Sequence, residues 1–152
     1  MLPNGPDAPL LLPGGIVVLS AQAIEEAAEP AVVAGHMLAA VAALDERDPL
    51  EPLLDEAGTV ATLGLLATGE VGDAALATHA AALLADPPRV DPTTLGPAFA
   101  AAEVPASPWA RAVDPSGVSL AALAASDPYA GGAAPLLLTD AEWVALQGIC
   151  RA

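Results

Sequence analysis

The chain has 152 residues, 55% of them hydrophobic, only 3% aromatic and 38 of them alanine, a length that corresponds to one domain over 1-152. Nineteen acidic residues against four basic ones give a net charge of −15, which excludes recognition of a nucleic acid or an anionic membrane through basic patches. The mean hydropathy is +0.56, yet no stretch of about 18 residues is free of charge, proline and glycine, so no transmembrane segment is expected.

The first residues carry neither a basic n-region nor a long apolar run, so they do not read as a secretory signal. Met1 to Pro6 looks more like a mid-domain loop than a natural beginning. The chain is expected in the cytoplasm if Met1 is the true start, and otherwise as a membrane-associated or periplasmic protein missing an upstream segment. Leu10–Leu12 and Ile16–Leu19 flank Pro13-Gly14-Gly15, a permissive reversal, and predict a β-hairpin. A two-stranded hairpin is marginal alone, so its edge is expected to be covered by another chain, by the C-terminal segment or by upstream sequence.

Ser20 is placed to cap a short helix through Ile24 to Ala28, and Pro30 to open a helix reaching about Leu44. On that helix Val33, Met37, Ala40, Val41 and Leu44 recur at spacings of three and four, predicting a buried face. After Asp45–Pro49 a second long helix is expected from Pro52 to Thr68, carrying Leu53, Leu54, Val60, Leu63, Leu65 and Leu66. Gly58 and Gly64 inside it cost about 1 kcal/mol each against alanine, which implies a second backbone packed close by. A third helix is expected from an Asp73 N-cap to Leu84 or Ala85, before Pro87-Pro88, and a fourth from Asp91-Pro92 through Phe99 to about Ala102.

Residues 103–116 are punctuated by proline and predict a surface wrap pinned by Trp109. Ser116 or Ser119 is expected to open a short helix ending before Asp127-Pro128, and 127–138 reads as irregular. Thr139-Asp140-Ala141-Glu142 is a capping box that predicts a last helix with Trp143, Leu146 and Ile149 on one face. The expected fold class is α+β and predominantly α-helical, a helical bundle with a small N-terminal hairpin. Cys150 has no partner for a disulfide or a zinc site and reads as a small apolar side chain.

The order Leu12-Pro13-Gly14-Gly15, strand, helix, then Ala34-Gly35-His36-Met37-Leu38-Ala39-Ala40 resembles the core of the gluzincin zinc metallopeptidases of the HtpX type. Those enzymes carry a leucine-proline-glycine-glycine hairpin, then His-Glu-x-x-His on the active-site helix, and a glutamate ligand on a later helix. Leu83-Leu84 and Val90-Asp91-Pro92 occupy places comparable to later family motifs. The similarity covers about 8-102 as a peptidase-like core, leaving 103-152 as proline-rich wrap and C-terminal helix. It implies a zincin-like core and a metallopeptidase ancestry.

The residues do not carry the chemistry. A helical zinc site needs imidazoles at i and i+4 and a carboxylate beside the first to activate water. His36 stands where the first imidazole belongs, but Met37 replaces the general base and Ala40 the second ligand; Asp73 is at best a short third ligand. His79 lies on a different helix face from Asp73. No nucleophile elbow, phosphate-binding fingerprint or calcium loop is present, and the pairs Glu25-Glu26 and Asp45-Glu46 read as solvated faces.

These remnants imply a non-catalytic metallopeptidase-like domain acting as a structural or protein-interaction module, with no catalytic residue, no metal and no cofactor. Its partner is expected to be a protein or a second copy, met through Trp109, Tyr129 or Trp143. One alternative is a metal-dependent hydrolase with a rearranged site from His36, His79 and Asp73. Another is an unrelated helical subunit, in which no strand would run along the His36 helix.

Overall fold

A computed structural model describes residues 5–6, 8–69, 71–132 and 134–149, with the side chains of Glu56, Val60 and Ala61 not included. The expectations for Met1–Asn4, the Val60 side chain and Cys150 therefore lie outside the described residues. The fold is predominantly helical with one small antiparallel sheet. Strands β1 (Leu10–Leu12) and β2 (Ile16–Val18) pair in the register Leu10 with Val18 and Leu12 with Ile16. Gly14 and Gly15 turn the chain at φ +87° and +73°, the left-handed region that glycine enters without a steric penalty. Leu10 and Leu11 are buried, and β1 packs on the long helix that follows.

Ser20 accepts a hydrogen bond from Ala23 N and starts α1 (Ala21–Glu25), and Pro30 opens α2 (Pro30–Glu46), both as the sequence indicates. The buried face of α2 differs from the expected one. Ala31, Val32, Val33, Gly35 and Ala40 are buried, whereas Met37 and Val41 point to solvent. With apolar residues almost all round this helix, periodicity gives no direction, and close packing by small residues decides which side is covered.

Helix α3 (Leu50–Thr68) starts two residues earlier than expected and breaks at Gly58, whose φ of 75° and ψ of 177° are open only to glycine. No atom approaches within 4 Å of the place a Cβ would take there. Gly58 is a kink, which corrects the expectation of a neighbouring backbone. Gly69 ends α3 in the left-handed conformation. Helix α4 (Asp73–Ala85) folds back on α3; its N-cap is Gly72, with Asp73 one residue inside, and no single helix of the described residues is long and apolar enough to cross a membrane.

Asp91 caps a 3-10 turn (Pro92–Leu95) by accepting from Thr93 N, and α5 (Gly96–Ala101) continues it. The expected surface wrap is instead α6 (Ala106–Val113), whose residues from Ala106 to Ala110 are all buried. Its first turn is capped from a distance: Ser107 N donates to Asp127 Oδ2 at 2.8 Å. Burial pushes the Asp127 carboxyl toward a higher pKa, but donors from Ser107, Tyr129 and Ala106 outweigh it and hold the carboxyl below its usual range. A buried carboxylate thus meets the positive end of α6, which proline spacing alone did not reveal.

Helix α7 (Ala121–Ala125) has Leu120 at its N-cap with no side-chain cap, so neither Ser116 nor Ser119 opens it; the turn before it is held by Asp114, which accepts from the amides of Ser116, Ser119 and Leu120. The described residues 127–132 and 134–138 are irregular as expected. Thr139 and Glu142 form the capping box of α8 (Asp140–Gly148). The main core joins Ala31 of α2, Leu95, Phe99, Trp109, Ala110, Leu120 and Leu123. A second cluster of Ala27, Val32 and Val33 is covered by Leu19 and Trp143, and Ile149 of the last helix is exposed.

Candidate functional site

The site expected from the sequence centres on α2, and the contact that organises it is between α2 and α6. Trp109 is 3% exposed and packs its indole on Gly35, where an added Cβ would stand 2.3 Å from Trp109 Cγ. Only a glycine lets the two helices approach this closely. Phe99 lies against the other side of the indole, ring centroids 5.5 Å apart. The indole edge meets His36, the rings nearly perpendicular with centroids 6.2 Å apart, and Trp109 Nε1 donates to His36 Nδ1 over 3.4 Å.

That hydrogen bond decides what His36 can do. The Nδ1 lone pair is turned to the indole, so in this arrangement that nitrogen is not offered to a metal. Met37 is exposed and Ala40 is 3% exposed, so the positions of the general base and second ligand face opposite environments. Asp73 lies exposed at the start of α4, and His79, on the same helix, is buried at a small recess that Leu11, Ala43 and Leu83 also line. Among the described residues no group of three or more His, Cys, Asp or Glu side chains is placed to hold a metal ion, so His36, His79 and Asp73 are not assembled into one centre.

A groove of about 1060 Å³ opens above this contact. His36, Ala40 and Trp109 line it from α2 and α6, Leu11 from β1, and the segments 26–29 and 84–92 form its banks. Its size is at the upper end of small-ligand pockets, and its lining is mainly alanine and proline. A smaller recess, with His79 and Arg47, adjoins it through the shared Leu11, Ala43 and Pro88.

Of the aromatic residues expected to meet a partner, Trp109 is buried in the core and corrects that reading. Trp143 is half-buried in the second cluster, and Tyr129 is half-buried beside Asp127, to which its amide donates at 2.9 Å. Of the exposed large apolar side chains, Leu66, Leu136, Val118 and Val144 are the most open to solvent. Sequence reasoning also missed Gly35 as a packing residue. Its signal was the pair of a helix-interior glycine and a downstream tryptophan, which spacing alone cannot connect. No family model, curated protein or solved structure matches the chain.

Proposed function

We propose that the chain is a non-catalytic, metallopeptidase-like domain with a degenerate zincin-like core of the HtpX type, acting as a structural or protein-interaction module. The observation that carries this reading is the Trp109–His36 hydrogen bond, which turns one of the two imidazole nitrogens that could ligate a metal to the indole instead. Met37 and Ala40 in place of the carboxylate and second imidazole agree with it. The contact of β1 with α2, with Leu11 and His36 on one groove, is compatible with the peptidase resemblance.

Such a domain loses the folding energy that a bound ion supplies, and the packed α2–α6 contact takes its place. The test is metal analysis of the purified protein together with incubation against unstructured peptides. The expected result is no stoichiometric zinc and no cleavage. Stoichiometric zinc with cleavage that disappears in His36→Ala would overturn the reading.

A further inference from the structure

Helices α3 and α4 pack chiefly on each other, and much of what they turn outward is apolar. Of the thirteen residues of α4 only His79 is buried, while Leu76 is 44% and Leu84 49% exposed, and Leu63 and Leu66 of α3 are more open still. Four exposed leucines on two helices packed together exceed the scattered apolar residues of an ordinary surface. Charge is scarce here. Residues 57–85 hold only Glu70 and Asp73 of the nineteen acidic residues and no lysine or arginine, and beyond Asp73 the rest of α4 has no acidic residue. The leucines of α4 are also placed symmetrically: Leu76 and Leu84 stand four residues either side of Ala80, itself exposed. At about 100° per residue the three share one face of the helix.

We propose that α4 docks antiparallel on the α4 of a second copy of this chain, about a two-fold axis that passes beside Ala80. The proposal deepens the interaction-module reading by naming the partner. A two-fold contact is self-complementary, so Leu76 of one copy meets Leu84 of the partner subunit and the reverse, while the two Ala80 methyl groups face each other and let the helices come close. Charge favours the same occupant. Two molecules of −15 repel in most orientations, and their approach is least opposed where the uncharged turns of α4 meet. A strongly charged partner would have to strip water from its ionic groups against leucine and alanine. A bilayer fits less well. Helix α4 is about 20 Å long against a hydrocarbon core of about 30 Å, and α3 and α4 inserted together would carry Asp73 near their deepest turn. With one pair of short helices in contact, the interface is smaller than that of permanent dimers, so the dimer is weak and depends on concentration.

The test is sedimentation velocity of the full chain from about 5 to 500 μM, at low and at moderate salt. A monomer–dimer equilibrium is expected, tightened by salt because screening relieves the repulsion between two acidic copies. In Leu76→Glu/Leu84→Glu, whose folding is verified by circular dichroism, the dissociation constant is expected to rise by about tenfold or more, since like charges then oppose each other across the axis. Cross-linking reads the geometry. In a Cys150→Ser background, Ala80→Cys should join two copies under mild oxidation, whereas Ala82→Cys, about 200° round the helix, should not. A chain that stays monomeric throughout, a double variant that associates like the parent, or cross-linking at position 82 as readily as at 80 would overturn the proposal. Flotation of the chain with neutral phosphatidylcholine vesicles would do the same, by making a bilayer the occupant. A monomer free of zinc and inactive on peptides would sink this contact and leave the non-catalytic reading standing, whereas a dimer that binds zinc and cleaves peptides would do the reverse.

Discussion

Replacing Gly35 by alanine tests the packing on which the site is built. The new Cβ would stand 2.3, 2.5 and 2.6 Å from Cγ, Cδ1 and Cβ of Trp109. Carbon atoms in contact prefer about 3.5–4.0 Å, so α6 must withdraw by about 1 Å or more. Because one of the three atoms is the Trp109 Cβ, close to the backbone, rotation of the indole does not relieve the overlap. Overpacking at the upper end costs about 3 kcal/mol, against about 1 kcal/mol gained from alanine in a helix, for a net loss near 2 kcal/mol. That corresponds to a fall in Tm of about 4–8 °C for a chain of this size. Urea and thermal unfolding followed by circular dichroism read it directly. In a Trp109→Ala background Cγ and Cδ1 are gone and only the 2.6 Å contact remains, so the cost of Gly35→Ala should drop by about half or more. An alanine variant as stable as the parent, or strictly additive changes, would refute the described contact.

Trp109→Phe keeps an aromatic ring but removes the indole donor, and is expected to cost about 1 kcal/mol for the lost hydrogen bond. Nitrogen-15 NMR should show the His36 Nδ1 resonance shift when the indole donor is removed; an Nδ1 resonance unchanged in the variant would contradict the geometry. Gly58→Ala should destabilise, by about 1–3 kcal/mol, where a regular helix would gain about 1 kcal/mol, because the kink needs a backbone conformation that alanine resists. Asp127→Ala should cost about 1–2 kcal/mol at neutral pH. Since the folded carboxyl titrates below its ordinary value, its contribution is present above about pH 3.9 and is lost as pH falls through the lower folded value, so parent and variant stabilities should converge in acid.

Local chemistry was legible in the sequence wherever one residue satisfies a neighbour. The Pro13-Gly14-Gly15 reversal, the Ser20 cap, Pro30 at the head of α2 and the Thr139–Glu142 capping box all act within a few positions. Tertiary chemistry was not. Asp127 caps a helix twenty positions upstream, and that distant carboxylate turns an apparently proline-broken wrap into the buried α6. The alanine-rich α2 shows why its buried face was misjudged. When almost every side chain is small and apolar, the face covered is the one that lets another backbone nearest, and Gly35 outranks Met37, Val41 and Leu44 despite contributing no side chain. At the candidate site, His36 stood out in the sequence, but the indole that meets its Nδ1 lies 73 positions away.

Helix α8 carries a consequence for how the chain is made. Trp143 closes the cluster of Ala27, Val32 and Val33, and the Gln147 amide donates to the carbonyls of Glu25 and Ala27 across 122 and 120 positions. Such closure demands a long loop be drawn together before any reward arrives. On a ribosome the valines of α2 must therefore wait, unshielded, through most of elongation, and nascent chains stalled short of Trp143 should be the preferred clients of holdase chaperones.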